Sequence, residues 1–218
     1  MEKNNKNKTS TPYLIGITGS FGTGKSSAGK ILEELGVIVI DTDEIVKNIL
    51  STKNNITQMV QNEFGSNIIN DNANEYIDKK TLAKLVFNDD LKRKKLESFI
   101  HPEVNKVLES FISRNKDKST IAVLVPLLFE CNLENFYNEL WCITCNSKIQ
   151  LERLLKKGFT QEEIKQRTDS QLPIEVKAKR SNFVIDNSDT IDETKKQIIS
   201  RLKELAQSNH NLHLFFDK

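Results

Sequence analysis

Residues Gly19-Ser20-Phe21-Gly22-Thr23-Gly24-Lys25-Ser26 set three glycines, a lysine and a hydroxyl at fixed offsets. Ahead of them stands a short, β-rich apolar run from Tyr13 to Thr18, and behind them apolar positions recur at helical spacing from Lys25 to Leu35. A strand that turns through glycines into a helix is the opening of a parallel α/β unit. Gly19, Gly22 and Gly24 let the backbone curl so that successive N–H groups point inward, and the helix N-terminus adds positive potential where phosphate oxygens would sit. Lys25 is placed to bridge β- and γ-phosphates, Ser26 to offer its hydroxyl to Mg²⁺, and Ser27 to donate to a phosphate oxygen one turn further on. With Thr23 these residues are the expected ATP site. The pattern fixes nucleotide binding but not the acceptor, since GTPases, motor ATPases and small-molecule kinases share it.

The remainder of the chain extends the α/β reading. Gly36 ends the first helix, and Val37 to Ile40 is a continuous apolar run of the kind found in parallel strands buried on both faces. Asp41 to Lys118 carries little β pattern, and Thr81 to Phe87 and Leu91 to Phe99 place apolar residues at helical spacing, so a helical region is inserted here. Within it His101-Pro102 fits a helix start, with Val104, Val107, Leu108 and Phe111 along one packing face. The β signal returns at Ile121 to Val125, at Leu140 to Cys145 and at Phe183 to Ile185. Between the last two, Lys148 to Lys157 and Thr160 to Arg180 are charged helical segments, with Thr160 and Glu163 as a capping box, and the excursion reads as a lid. A final helix from about Thr190 to Gln207 carries Ile191, Ile198, Leu202 and Leu205 on one face. Residues 1–12 read as a disordered polar arm and 209–218 as a loose tail.

Asp41-Thr42-Asp43 directly follows the second apolar strand, at the carboxyl edge where ligands of open α/β sheets collect. Phosphoryl transfer to an alcohol needs a group that orients the hydroxyl and receives its proton, and a carboxylate suffices. Asp43 is the candidate; Asp41 or Thr42 is equally suited to capping the helix that starts near Glu44. Bulk electrostatics add nothing: 32 Lys and Arg against 30 Asp and Glu leave a charge of +2, which gives no reason to expect nucleic acid or a membrane surface as partner. The longest apolar stretch, Ile121 to Phe129, is far short of the ~20 residues of a membrane helix, and Met1 to Ser10 lacks the apolar core of a secretory leader. A cytoplasmic, reducing setting is expected. There Cys131, Cys142 and Cys145 read as free thiols rather than metal ligands.

In order along the chain stand Ile15-Gly16-Ile17-Thr18-Gly19, Val39-Ile40-Asp41-Thr42-Asp43, His101-Pro102, Val125-Pro126-Leu127-Leu128-Phe129-Glu130 and Val184-Ile185-Asp186-Asn187-Ser188. Together these resemble the dephospho-CoA kinase family from about Tyr13 to Leu205. The resemblance implies a kinase that uses ATP with Mg²⁺ to phosphorylate the ribose 3′-hydroxyl of dephospho-CoA, and a monomer is expected. It implies a three-layer P-loop fold on a five-stranded parallel sheet, with core segments 13–44, 119–147 and 182–208, a helical CoA-binding insertion at 45–118 and a lid at 148–181. It makes Asp43 and Lys25 catalytic, puts Leu127 and Leu128 beside the acceptor, and brings Asn187 towards the adenine. Where many relatives carry Arg-Asp in the lid this chain has Lys156-Lys157-Gly158, which leaves Arg153, Lys157 and Arg167 as candidates for the lid charge. Another nucleotide or small-molecule kinase is the alternative. A GTP switch lacks its markers, since neither Asn-Lys-x-Asp nor Asp-x-x-Gly occurs.

Overall fold

A computed structural model describes residues 11–70, 76–87 and 89–208; the expected arm before residue 11 and the tail at 209–218 lie outside the described residues. Two compact units emerge, one taking the chain up to Asp41 and from Arg114 onward, the other Thr42–Ser113.

The first unit is built on five parallel strands: β1 Tyr13–Gly19, β2 Ile38–Asp41, β3 Thr120–Leu124, β4 Glu139–Thr144 and β5 Phe183–Asp186, in the spatial order β2-β3-β1-β4-β5. Each lies within a residue of its expected place; for β1, β3 and β4 this follows from burial on both faces, which reads as an unbroken apolar run. Side chains alternate across a strand, and β1 divides accordingly. Ile15 and Ile17 join Trp141 and Ile143 of β4 in a core with Ala28, Ile31 and Leu32 of helix α1 (Lys25–Glu34) and Ile198, Leu202 and Leu205 of helix α9 (Ile191–Ser208). On the other face Gly16 is so close to Tyr137 and Leu128 that an added Cβ would lie 2.7 Å and 2.9 Å from their carbons. Helix α8 (Ile174–Arg180) lies against β1 and β4 as well, and so supplies the third layer with that loop. Ile191, expected on the packed face of α9, is 54% exposed because it opens the helix.

At the amino end of β4 the buried Glu139 accepts from Trp141 Nε1, from Arg201 Nε at 2.8 Å and from Tyr13 OH at 3.3 Å. Three donors satisfy a carboxylate that would be costly there alone. Burial, with the neighbouring Glu139 charge, pushes the Tyr13 hydroxyl pKa up.

Between β4 and β5 run α6 (Ser147–Lys156), α7 (Gln161–Asp169) and α8. The Thr160–Glu163 capping box forms in both directions. The stretch from Thr160 to Arg180 breaks in two at Leu172-Pro173, because the residue before a proline is driven out of the helical region.

The second unit contains α2 (Thr42–Ser51), α3 (Asn55–Phe64), α4 (Lys79–Phe87) and α5 (Asp90–Arg114). Asn54 caps α3 in a reciprocal pair with Thr57. Asp78 serves the start of α4, accepting from the N–H groups of Lys80 and Thr81 and from the Thr81 hydroxyl, which holds its carboxyl below the usual range. Ile45, Leu50, Val60, Ile68, Ile77 and Leu82 are buried. The helix start expected at His101-Pro102 is not there: α5 runs through Pro102 without interruption. Pro102 and Ser98 lie on the exposed side, where water can replace the N–H that the proline withholds from the Ser98 carbonyl. Of the packing face expected after it only Val104 is buried, and Val107 is 36% exposed.

Candidate active site

The turn after β1 has the backbone that its glycines allow. Gly22 and Gly24 sit at φ of +82° and +102°, and Gly24 is the N-cap of α1. The Ser27 and Ala28 N–H groups both reach the Gly24 carbonyl at 3.0 Å, so the helix begins at once and its first-turn N–H groups face the loop. Lys25 folds back across the turn, donating from Nζ to the carbonyls of Gly19 at 2.9 Å and Ser20 at 3.0 Å. Thr23 is buried and closes the turn through Oγ1 to the Ser20 carbonyl at 3.0 Å. Ser26 is exposed on the first turn and Ser27 half-buried. A helix N-terminus, curled backbone and one ammonium thus surround a place suited to a polyphosphate.

The loop is braced from three sides. Gly22 abuts α6, where an added Cβ would meet Leu154 at 2.7 Å. Phe21 forms an edge-to-face pair with Phe159, centroids 5.1 Å apart, and the Arg167 guanidinium stands 4.9 Å and 5.2 Å from the two rings. Gln171 Oε1 accepts from the Phe21 N–H at 3.0 Å, and Gln150 Nε2 donates to the Phe21 carbonyl. The third brace is Asn187. Its Nδ2 donates to the Thr23 carbonyl at 2.8 Å, its Oδ1 accepts from Thr194 Oγ1 at 2.9 Å, and it is 5% exposed. The resemblance brought this residue towards adenine; in the structure both ends of its amide are committed, one to the loop and one to α9.

The three basic candidates in the charged helices fare differently. Arg153 ties α6 to the end of β5, donating through Nη1 to the Asn187 carbonyl at 2.7 Å and through Nη2 to the Asp189 carbonyl at 3.4 Å. Lys157 is the exposed C-cap of α6. Arg167 is exposed and stacks on the phosphate loop's own aromatic residue, which puts it nearest the loop in contact terms.

Beyond β3 the two leucines expected at the acceptor part company. Leu127 is 37% exposed, whereas Leu128 is fully buried under Gly16, so the alternation of the turn makes Leu128 core. Asp41 ends β2 in register with Leu124, itself paired with Ile17 of β1, at the carboxyl edge. Thr42 opens α2, so Asp43 is an exposed residue of that helix's first turn and belongs to the helical unit. Sequence patterns did not single out Gln150, Gln171 or Lys177. Lys177 is fully buried on α8, with Nζ 2.8 Å from Glu130 Oε1 and 2.7 Å from the Pro126 carbonyl.

Burial raises the Cys142 thiol to about 11, and the Lys177 and Lys25 cations pull it the other way. Both ammoniums therefore act on the carboxyl half of β4, beside the loop. Burial likewise raises Cys145, with Arg153 and the Ser188 side chain opposing. The three cysteines are free thiols. Among the described residues no group of three His, Cys, Asp or Glu side chains could hold a metal by itself, and no helix is long and apolar enough to cross a membrane.

A family model described as dephospho-CoA kinase matches residues 13–193. A dephospho-CoA kinase of Carboxydothermus hydrogenoformans is 36% identical over 194 residues, spanning 88% of this chain and 93% of that protein. One from Aquifex aeolicus is 34% identical over 194 residues, spanning 88% and 97%. Among solved structures, a Thermus thermophilus protein superposes with a TM-score of 0.78 at 29% identity, covering 89% of this chain and 98% of its own. The dephospho-CoA kinase from Campylobacter jejuni gives 0.65 at 28%, covering 90% and 98%. With the family model spanning residues 13–193 and curated relatives 34% and 36% identical over nearly their whole length, the chain belongs to the dephospho-CoA kinase family.

Proposed function

We propose that the chain transfers the γ-phosphoryl group of ATP to the ribose 3′-hydroxyl of dephospho-CoA, giving coenzyme A and ADP. The observation that carries this is the loop from Gly19 to Ser26, formed with Lys25 across it, in a chain whose family match runs from residue 13 to 193.

In this reading Lys25 holds the β- and γ-phosphates and offsets the charge that spreads over the transferring group, while the loop N–H groups receive the remaining oxygens. The residues present suit Mg²⁺ held jointly with phosphate oxygens: that ion usually takes one or two protein groups and keeps several waters, and the exposed Ser26 hydroxyl supplies one. When bound, it would neutralise charge on the β- and γ-oxygens. Asp43 orients the acceptor hydroxyl and takes its proton, since a loose transition state needs positioning more than a strong base. Its place on the first turn of α2, two residues past the sheet edge, supports that role. The helical unit Thr42–Ser113 binds the CoA portion, Leu127 borders the acceptor, and α6 to α8 serve as the lid, with Arg167 its charge-bearing residue.

ADP formation from ATP and Mg²⁺ tests the reading, with dephospho-CoA set beside AMP, adenosine and shikimate as acceptors. Stimulation by dephospho-CoA alone is expected; none by it would sink the assignment.

A further inference from the structure

The ion pair between Lys177 and Glu130 lies outside the machinery described above. An ion pair with its lysine fully buried and its glutamate half-buried is often no more stabilising than well-packed apolar side chains of the same volume, so its presence asks what it positions. Its hydrogen bonds lead to the phosphate loop by two routes. Glu130 Oε1 accepts from Lys177 Nζ at 2.8 Å and from the Leu172 N–H at 2.9 Å. Leu172 adjoins Gln171, whose Oε1 accepts from the Phe21 N–H at 3.0 Å and from Ser20 Oγ at 3.4 Å. On the second route the Pro126 carbonyl accepts from Lys177 Nζ at 2.7 Å and from Thr18 Oγ1 at 3.2 Å, and Thr18 immediately precedes the first glycine of the loop. The stretch from Thr18 to Phe21 is thus tied at both ends to one ion pair whose lysine is fully buried.

We propose that Glu130 and Lys177 are positioning residues for nucleotide binding: Glu130 fixes the backbone at Leu172 and so holds Gln171 as a clamp on Ser20 and Phe21, while Lys177 anchors both Glu130 and the Pro126 carbonyl that receives Thr18. The clamp preorganises the loop, so ATP does not have to order it on binding. This rests on the loop as the ATP site. The chain from Lys177 to Gln171 runs through a single backbone segment, just before Pro173, where the chain is already stiffened. It also gives the junction between α7 and α8 a role, since a one-residue displacement of Leu172 would withdraw Gln171 from the loop.

Calorimetric titration of the full chain with ATP and Mg²⁺, without acceptor, tests it. Gln171→Ala is expected to weaken ATP binding roughly tenfold, the equivalent of one lost hydrogen bond. Glu130→Leu with Lys177→Met, which leaves no unpaired charge, should weaken it at least as much, since the contact to the Pro126 carbonyl goes with the clamp. Because the pair holds Gln171 through Leu172, the clamp is already lost in that variant, and adding Gln171→Ala should weaken binding no further. ATP affinity within twofold of wild type in Gln171→Ala, or losses that multiply in the triple variant, would overturn the proposal. Should the paired substitution not fold, amide exchange decides: Phe21 N–H protection must fall in Gln171→Ala, and unchanged protection overturns the clamp. A wild-type chain that binds no ATP sinks the nucleotide reading itself, whereas tight wild-type binding untouched by Gln171→Ala sinks the clamp alone.

Discussion

Replacing Asn187 by alanine separates bracing of the loop from contact with the nucleotide. The substitution deletes the 2.8 Å bond to the Thr23 carbonyl and the 2.9 Å bond from Thr194, both buried. Each is worth about 1 kcal/mol net, and a buried carbonyl stripped of its donor adds about 1–3 kcal/mol. Thr194 Oγ1 keeps its second bond, to the Thr190 carbonyl at 3.3 Å, so the penalty falls mainly on Thr23. The sum is about 3–5 kcal/mol, which for a chain of this size lowers Tm by roughly 6–20 °C. Scanning calorimetry without nucleotide reads it. A contact made only to bound adenine would leave that Tm unchanged and raise the KM for ATP instead, so a shift below about 2 °C refutes the brace. Gly24→Ala sharpens the test. Its Cβ would lie 1.9 Å from Asn187 Nδ2, on a backbone at φ +102°. In the wild type it should cost both the clash and the left-handed strain; after Asn187→Ala only the strain of about 1–2 kcal/mol remains. Equal costs in the two backgrounds would mean that the two residues do not meet.

Three further outcomes follow from the site. Asp43→Asn should lower kcat by about 100-fold or more with little change in the KM for ATP, and steady-state rates at full wild-type level would remove it from the proton-transfer role. Lys25→Ala should abolish ATP binding whatever the acceptor, read by calorimetry; a titration like that of the wild type would refute its place on the phosphates. Cys142 makes a pH-dependent contribution. Its thiol titrates at about 11 when folded against 9.0 otherwise, so the folded state holds the proton more tightly. The resulting stability is complete below pH 9 and is lost as pH rises towards 11, a loss of roughly 2–3 kcal/mol across that window. Urea unfolding at pH 8 to 11 should show a shallower decline in Cys142→Ala than in the wild type, and parallel declines would refute it.

What could be read from sequence divides by the range over which a residue's requirement is set. The central strands were legible because burial on both faces leaves continuous apolar runs, and the loop because its glycines, lysine and hydroxyl answer to a local backbone curl. Pro102 misled because its cost in a helix depends on whether water reaches the Ser98 carbonyl, which no periodicity records. The contacts that shape the loop were hidden for another reason: their partners are remote. Gln171 meets Phe21 across 150 positions and Asn187 meets Thr23 across 164. Lys177 inverts the usual pattern, since α8 buries its lysine while Val176 beside it is 38% exposed; a charge-run reading would send that lysine to solvent. Leu128 is the converse, an apolar residue in a family motif whose partner is the bare backbone of Gly16. A phosphate loop can therefore be recognised from eight residues, but its rigidity is supplied by side chains from the end of β5, from α6 and from the α7–α8 junction. For that reason substitutions at Asn187 and Gln171, which leave the eight untouched, should distinguish a loop merely present in sequence from one held ready for nucleotide.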